Sequence, residues 1–153
     1  MLTVFWSVNS FKVVELLINN EKFNSEYFTS VILEKLKEKS SLDQRKGERK
    51  LTVHYDNARP HTARKVFCYL VENRMMKAPH HPFSPDVAPS DFFLFGNVKF
   101  KINGLNFDSP EELLDTMKVI LDEIPQEILF KVFDEWEIRL KKLLIQVENT
   151  INE

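Results

Sequence analysis

Two polar motifs constrain this chain more than any other feature. His54-Tyr55-Asp56-Asn57-Ala58-Arg59-Pro60-His61 and Ser84-Pro85-Asp86-Val87-Ala88-Pro89-Ser90-Asp91 punctuate otherwise apolar patterning, with 34 residues between Asp56 and Asp91. Ahead of the first, Leu51, Val53 and Tyr55 alternate with Thr52, His54 and Asp56. That period of two predicts a strand over 51–56 with Asp56 on its polar face. Behind the second, Ser90 or Asp91 offers an N-cap oxygen to a helix running to about Asn103, which Gly104 stops. Four of the seven prolines fall between Pro79 and Pro89, so that connection is neither regular helix nor central strand. One acidic residue thus ends a strand and another begins a helix.

The remaining elements follow from periodicity. Leu2 to Val8 and Lys12 to Ile18, parted by Asn9-Ser10-Phe11, predict a β-hairpin over 2–18. Asn24-Ser25 caps a helix with the stripe Tyr27, Phe28, Val31, Ile32 and Leu36, which ends in a solvated loop over the charged run 39–50. A helix over 60–73 takes Pro60 in its first turn and buries Ala63, Val66, Phe67, Leu70 and Val71. Arg74 to Ala78 is a short strand candidate. Ser109-Pro110-Glu111-Glu112 is a capping box for a helix that buries Leu113, Leu114, Met117 and Leu121. Pro125 opens a last helix with the face Ile128, Leu129, Val132, Phe133, Trp136, Leu140, Leu143, Leu144 and Val147. These C-terminal helices span 110–150. The order β-β-α-β-α-β-α-α predicts a single α/β domain over 1–153, a mixed sheet flanked by helices.

Composition narrows the function. Of the 153 residues 43% are hydrophobic and 29% charged, which is a chain able to bury a core. The net charge of −2 argues against a basic nucleic-acid-binding surface over the whole chain, though it leaves room for a local patch. Cys68 stands alone, so no intrachain disulfide forms and a reducing compartment is expected. Its neighbours Val66, Phe67 and Leu70 suggest a small buried hydrophobe. No run approaches the ~20 apolar residues of a membrane span. Met1 to Val8 is apolar but lacks a basic lead-in and a cleavage site, so it reads as a strand and not a signal peptide.

Asp56 and Asp91 carry the chemistry. Strand ends and helix N-termini are where α/β folds place ligands. Mg²⁺ takes oxygen ligands, keeps several waters, and uses one or two protein carboxylates with substrate phosphates. Two such ions about 4 Å apart clamp the attacking and leaving oxygens at phosphorus. The structural alternative is ordinary: Asp-Asn after a strand makes turns, and Ser-Asp caps helices. Asp86 reads as a turn residue. His54, Asp56 and His61 match no common zinc spacing, and His80-His81 reads as a surface or phosphate-contacting pair. No Gly-rich phosphate loop, nucleophile motif or dinucleotide fingerprint is present. An unrelated α/β metal enzyme is the reading that stays open on these residues alone.

The two motifs, extended through Thr62-Ala63 and from His80-His81-Pro82-Phe83 to Phe92-Phe93-Leu94-Phe95, resemble the catalytic-domain signatures of mariner transposases. That family's pattern is roughly H-D-N-A-R-P-H followed by H-P-P-Y-S-P-D-L-A-P-S-D-Y-x-L-F, with the same 34-residue gap. Leu2 to Trp6, Gly104-Leu105-Asn106-Phe107 and Trp136 are similar as well. Tyr55, His81, Phe83 and Val87 depart from the commonest family residues, and none of these changes removes a ligand. The resemblance implies an RNase H-like fold, of the retroviral-integrase type. It implies metal-dependent DNA cleavage and strand transfer with Mg²⁺ or Mn²⁺. Asp56 would be the second catalytic, metal-binding Asp and Asp91 the third, with Asn57 and His61 as auxiliary residues. The partners implied are DNA, meaning transposon ends and target, and a homodimer, with no membrane and a nuclear location. The family's first catalytic Asp lies on a strand before the hairpin, and neither Glu15 nor Glu21 takes its place. The expectation is an incomplete sheet lacking its first central strand, no N-terminal DNA-binding region, and no activity from the chain alone. The alternative is a retained non-catalytic nucleic-acid-binding or protein-interaction module.

Overall fold

The opening hairpin is apolar on both faces, and this decides where the rest of the chain packs. In a computed structural model, which describes residues 1–18, 22–41, 51–81 and 84–151, β1 (Leu2–Trp6) pairs antiparallel with β2 (Phe11–Leu16). The register runs from Leu2↔Leu16 to Phe5↔Val13 and shifts between Phe5 and Trp6, bringing Trp6 opposite Phe11. Phe5 and Val13 turn to one core, with Phe28, Ile32, Leu33, Val53, Tyr55, Val66 and Leu70. Leu2, Val4, Trp6, Phe11 and Val14 turn to a second, with Leu94, Val98, Met117, Ile120 and Leu121. Strands covered on both faces read as near-continuous apolar runs, which is how β1 reads.

The first core is roofed by one long helical segment. Asn24 caps it, its side chain accepting the Tyr27 N–H at 2.9 Å. Here α1 (Ser25–Tyr27) passes through a π-helical stretch (Phe28–Leu33) into α2 (Glu34–Ser41). The Thr29 hydroxyl donates to the Ser25 and Glu26 carbonyls and the Ser30 hydroxyl to Glu26, at 2.8–3.0 Å. Such bonds compete with the backbone donors of the helix, consistent with the wider turn. The helix runs into the charged stretch expected as loop as far as Ser41, and 42–50 lie outside the described residues.

Four sequence expectations change in the middle of the chain. The strand expected over 51–56 is only β3 (Thr52–Val53), parallel to β4 (Met76–Lys77). Its partner is short because Arg74 turns the chain at φ 55 and Pro79 has no N–H to extend the ladder. The helix expected over 60–73 is two, α3 (Arg59–Thr62) and α4 (Arg64–Glu72), broken at Ala63, whose ψ is 144. After the break α4 buries Val66 and Leu70, while Phe67 and Val71, expected inside, are 68% and 59% exposed. One position along a helix is a rotation of about 100°, which also carries Cys68 to the surface.

The second core lies under the C-terminal helices. A 3₁₀ turn (Pro85–Val87) leads into a π-helical opening (Ser90–Leu94) and α5 (Phe95–Ile102). Neither Ser90 nor Asp91 caps this helix, which begins at Pro89 with no side-chain cap bond. The Ser90 hydroxyl instead accepts the Trp6 indole N–H at 3.1 Å. Gly104, at φ +82, follows α5 in the left-handed region that glycine favours. Ser109 caps α6 (Pro110–Asp122) by accepting the Glu112 N–H at 3.1 Å. The last helix, α7 (Gln126–Ile151), has 26 residues, a length of about 39 Å that outruns the core. Leu129 and Val132 are buried, but Leu144 and Val147, expected on the packed face, are exposed.

Among the described residues there are two two-stranded sheets and no continuous one. A cavity of about 340 Å³ lies between them, bordered by β1 and by His54, Tyr55 and Asp56 beyond β3. No helix among the described residues is long and apolar enough to cross a membrane.

Candidate metal centre

Asp56 sits where the chain leaves β3. Its Oδ1 accepts the Ala58 N–H at 3.1 Å, an Asx turn that starts the path into α3. The same oxygen meets His61 Nδ1 at 2.5 Å. The His61 ring is wedged against Phe28, Tyr55 and Phe23, with ring centroids 4.3, 5.2 and 5.5 Å away. Five residues carry the chain from the carboxylate round to an imidazole that holds it.

Asp91 reaches the same cavity from the other side. It lies in the first turn of the helix that begins at Pro89, its N–H donating to Ala88 at 2.9 Å. The Trp6–Ser90 bond ties that turn to the end of β1. Asp56 and Asp91 both line the cavity, together with His54, His61 and His80. Burial and the charge of Asp56 push the Asp91 carboxyl up, against a smaller opposing effect of His80. Burial acts to raise Asp56 as well, but the Ala58 N–H and His61 hold it below the ordinary carboxylate range. The two carboxylates thus feel each other, and a hard divalent cation is the species that relieves such repulsion. Both known contacts to Asp56 fall on one oxygen, so the donor set fits a metal ion that keeps waters and substrate oxygens. Among the described residues no group of three or more His, Cys, Asp or Glu gathers as a metal site.

The other sequence candidates separate. Asn57 turns away from the cavity rim to brace the following loop, donating from Nδ2 to the His80 carbonyl at 3.0 Å and accepting Lys77 Nζ at 2.8 Å. His54 does not join His61 on Asp56. It pairs through Nε2 with His80 Nδ1 at 3.2 Å and packs on Trp136 at 4.9 Å. Burial, then His80 and Lys77, bring the His54 pKa down to about 4, so this ring is neutral at physiological pH. His80 is accordingly not part of a surface pair, although His81 is exposed. Asp86 stays in the turn, where its carbonyl accepts Arg139 Nη1 at 3.0 Å. Glu15 is held by Lys35 at 2.5 Å, and Glu21 lies outside the described residues.

Sequence reasoning missed the residues that hold the two motifs in place. Arg139 of α7 bonds the 3₁₀ turn and lies over the Phe92 ring at 4.2 Å. Lys77 of β4 sits over the Tyr55 ring at 4.7 Å. Trp6 stacks on Phe11 at 5.8 Å and meets Phe133 edge-on at 5.1 Å. No local pattern marks these residues, because the contacts Arg139–Asp86, Lys77–Tyr55 and Trp6–Phe133 each span more than twenty positions of sequence.

No family model matches the chain. The mariner Mos1 transposase of Drosophila mauritiana is 31% identical over 125 residues, covering 80% of this chain and 35% of that protein. The chain thus spans about a third of the relative's length. The crystal structure of the Mos1 mariner transposase catalytic domain superposes with a TM-score of 0.83 at 26% identity, covering 95% of this chain and 72% of that one. The Mos1 mariner paired end complex with Mn gives a TM-score of 0.86 at 25% identity, over 95% of this chain and 43% of that one. The Mos1 catalytic domain with Raltegravir and Mg gives 0.76 at 27% identity, over 89% and 71%. These matches bear out the RNase H-like α/β expectation, with the sheet reduced to two small pieces.

Proposed function

The chain belongs to the mariner transposase family as part of its catalytic domain, and from that membership we propose that Asp56 and Asp91 bind a divalent metal ion that acts on DNA phosphodiesters. The observation that carries this is the meeting of the two aspartates at one cavity, close enough for Asp56 to raise Asp91. Asp56 and Asp91 would hold Mg²⁺ or Mn²⁺, which Mos1 structures contain. When bound, the ion supplies Lewis-acid stabilisation of charge on phosphoryl oxygens. His61 fixes the Asp56 carboxylate through Oδ1. Asn57 fixes the loop that carries His80 alongside. The partners that fit this role are transposon-end and target DNA and a second copy of the protein, in the nucleus.

The family resemblance calls for three carboxylates, of which Asp56 and Asp91 would be two. Calorimetric titration with Mn²⁺ tests the site: Asp56→Ala and Asp91→Ala should each weaken binding at least tenfold, and Asp86→Ala should leave it unchanged. Binding unaltered in both site variants sinks the assignment.

A further inference from the structure

Asp56 and Asp91 are held in different ways. The Asp56 carboxylate accepts the Ala58 N–H and meets the His61 ring. Among the described residues no hydrogen bond holds the Asp91 carboxylate. The place of Asp91 is therefore set through its backbone, in a helix that opens without a side-chain cap. The Asp91 and Phe92 N–H groups both donate to the Ala88 carbonyl, at 2.9 and 3.0 Å, and the Ala88 N–H donates to the Pro85 carbonyl at 3.1 Å. The 3₁₀ turn and the first helical turn thus form one hydrogen-bonded unit.

A single side chain from α7 grips both ends of that unit. Arg139 Nη1 donates to the Asp86 carbonyl at 3.0 Å. The guanidinium carbon lies 4.2 Å over the centre of the Phe92 ring, next to Asp91. Glu135 takes the remaining edge, accepting Nε at 2.9 Å and also Nη2. Arg139 itself does not line the cavity. An exposed ion pair contributes little, because neither long side chain is fixed. Here the guanidinium is used on both edges and one face, an arrangement whose planar fork and stacking lysine cannot reproduce.

We infer that Arg139 is a positioning residue for Asp91, fixing the turn and the helix opening so that the Asp91 carboxylate faces Asp56 across the cavity. This rests on the reading of Asp56 and Asp91 as metal ligands. Groups that orient a ligand without touching the metal change affinity about 10–100-fold when they are altered. The sign separates positioning from charge. Arg139 is a cation, and like charges repel. If it acted through its field alone, its loss would tighten the binding of a metal cation. If it positions Asp91, its loss weakens that binding.

The test is calorimetric titration of Mn²⁺ into the 153-residue chain, with every variant held below its melting transition. Arg139→Met keeps the stem and loses the fork, and should weaken binding about tenfold. Arg139→Lys keeps the charge and should still weaken it, by a smaller factor. In an Asp91→Ala background Arg139→Met should add nothing, because two changes that act through one group are not additive. In the metal-free chain, amide hydrogen exchange at Asp91 and Phe92 should quicken in Arg139→Met, while exchange at Glu112 in the Ser109 cap stays as it was. Equal or tighter Mn²⁺ binding by Arg139→Met overturns the inference, as does unchanged exchange at Asp91 and Phe92. The same loss in both backgrounds also overturns it, making Arg139 a general support of the fold. If Asp91→Ala weakens binding and the Arg139 variants do not, this inference alone falls. If the unaltered chain binds no Mn²⁺, or Asp91→Ala binds it equally well, the metal reading falls and takes this inference with it.

Discussion

At the scale of single residues, the candidate site is two carboxylates with opposite tendencies. Asp91 is raised by burial and by Asp56, so the folded chain holds its proton more tightly than the unfolded one. Stability linked to that proton is fully present below the ordinary Asp range and is lost as pH rises through the folded pKa. Asp91→Asn, which stays neutral, should therefore melt higher than the unaltered chain at pH 7 in chelator. The difference should shrink to nothing as pH falls below the ordinary carboxylate range. A variant that melts lower at pH 7 would contradict the electrostatic account. The Tyr55 hydroxyl gives a second residue-scale prediction. The buried Tyr55 hydroxyl has no hydrogen-bond partner among the described residues, and an unsatisfied buried hydroxyl costs about 1–3 kcal/mol, so Tyr55→Phe should raise the melting temperature by roughly 2–4 °C per kcal/mol recovered. Calorimetry showing a lower value would mean that the hydroxyl has a partner.

At the scale of elements, local signals and long-range packing parted company. The Ser109 cap was legible because its whole mechanism spans four residues, from the Ser109 hydroxyl to the Glu112 N–H. Ser109→Ala should cost about 1 kcal/mol, seen as a lower urea midpoint at unchanged slope. The break at Ala63 was not legible, because Pro60 to Asn73 carries a coherent helical stripe. What turns α4 is the first core, which accepts Val66 and Leu70 and leaves Phe67 outside. The second core gives the strongest element-scale test. Leu121 is 0% exposed among Leu94, Val98 and Met117, so Leu121→Ala should cost about 2–5 kcal/mol by lost burial and the cavity left behind. Leu144→Ala, on the exposed end of α7, should change stability by less than about 0.5 kcal/mol. If the two variants melt alike, the second core is not where the structure places it.

At the scale of the whole molecule, the hairpin is the wall shared by two cores, and the cavity beside it separates two small sheets. The family assignment was legible at this scale because two long motifs at fixed spacing are jointly specific, even at 31% identity.

The amino-acid sequence by itself determined that residues 2–18 hold a hairpin, that Asp91 lies in the first turn of a helix, and that Ser109 starts a helix. Those facts depend on contacts within a few residues. Only the tertiary structure decided that Asp56 and Asp91 share a cavity and that His54 turns to His80 and Trp136 instead of joining His61. Each of these joins positions 26 or more residues apart, and such pairings follow from which apolar faces the two cores accept, a property of the whole chain that no short window of it carries.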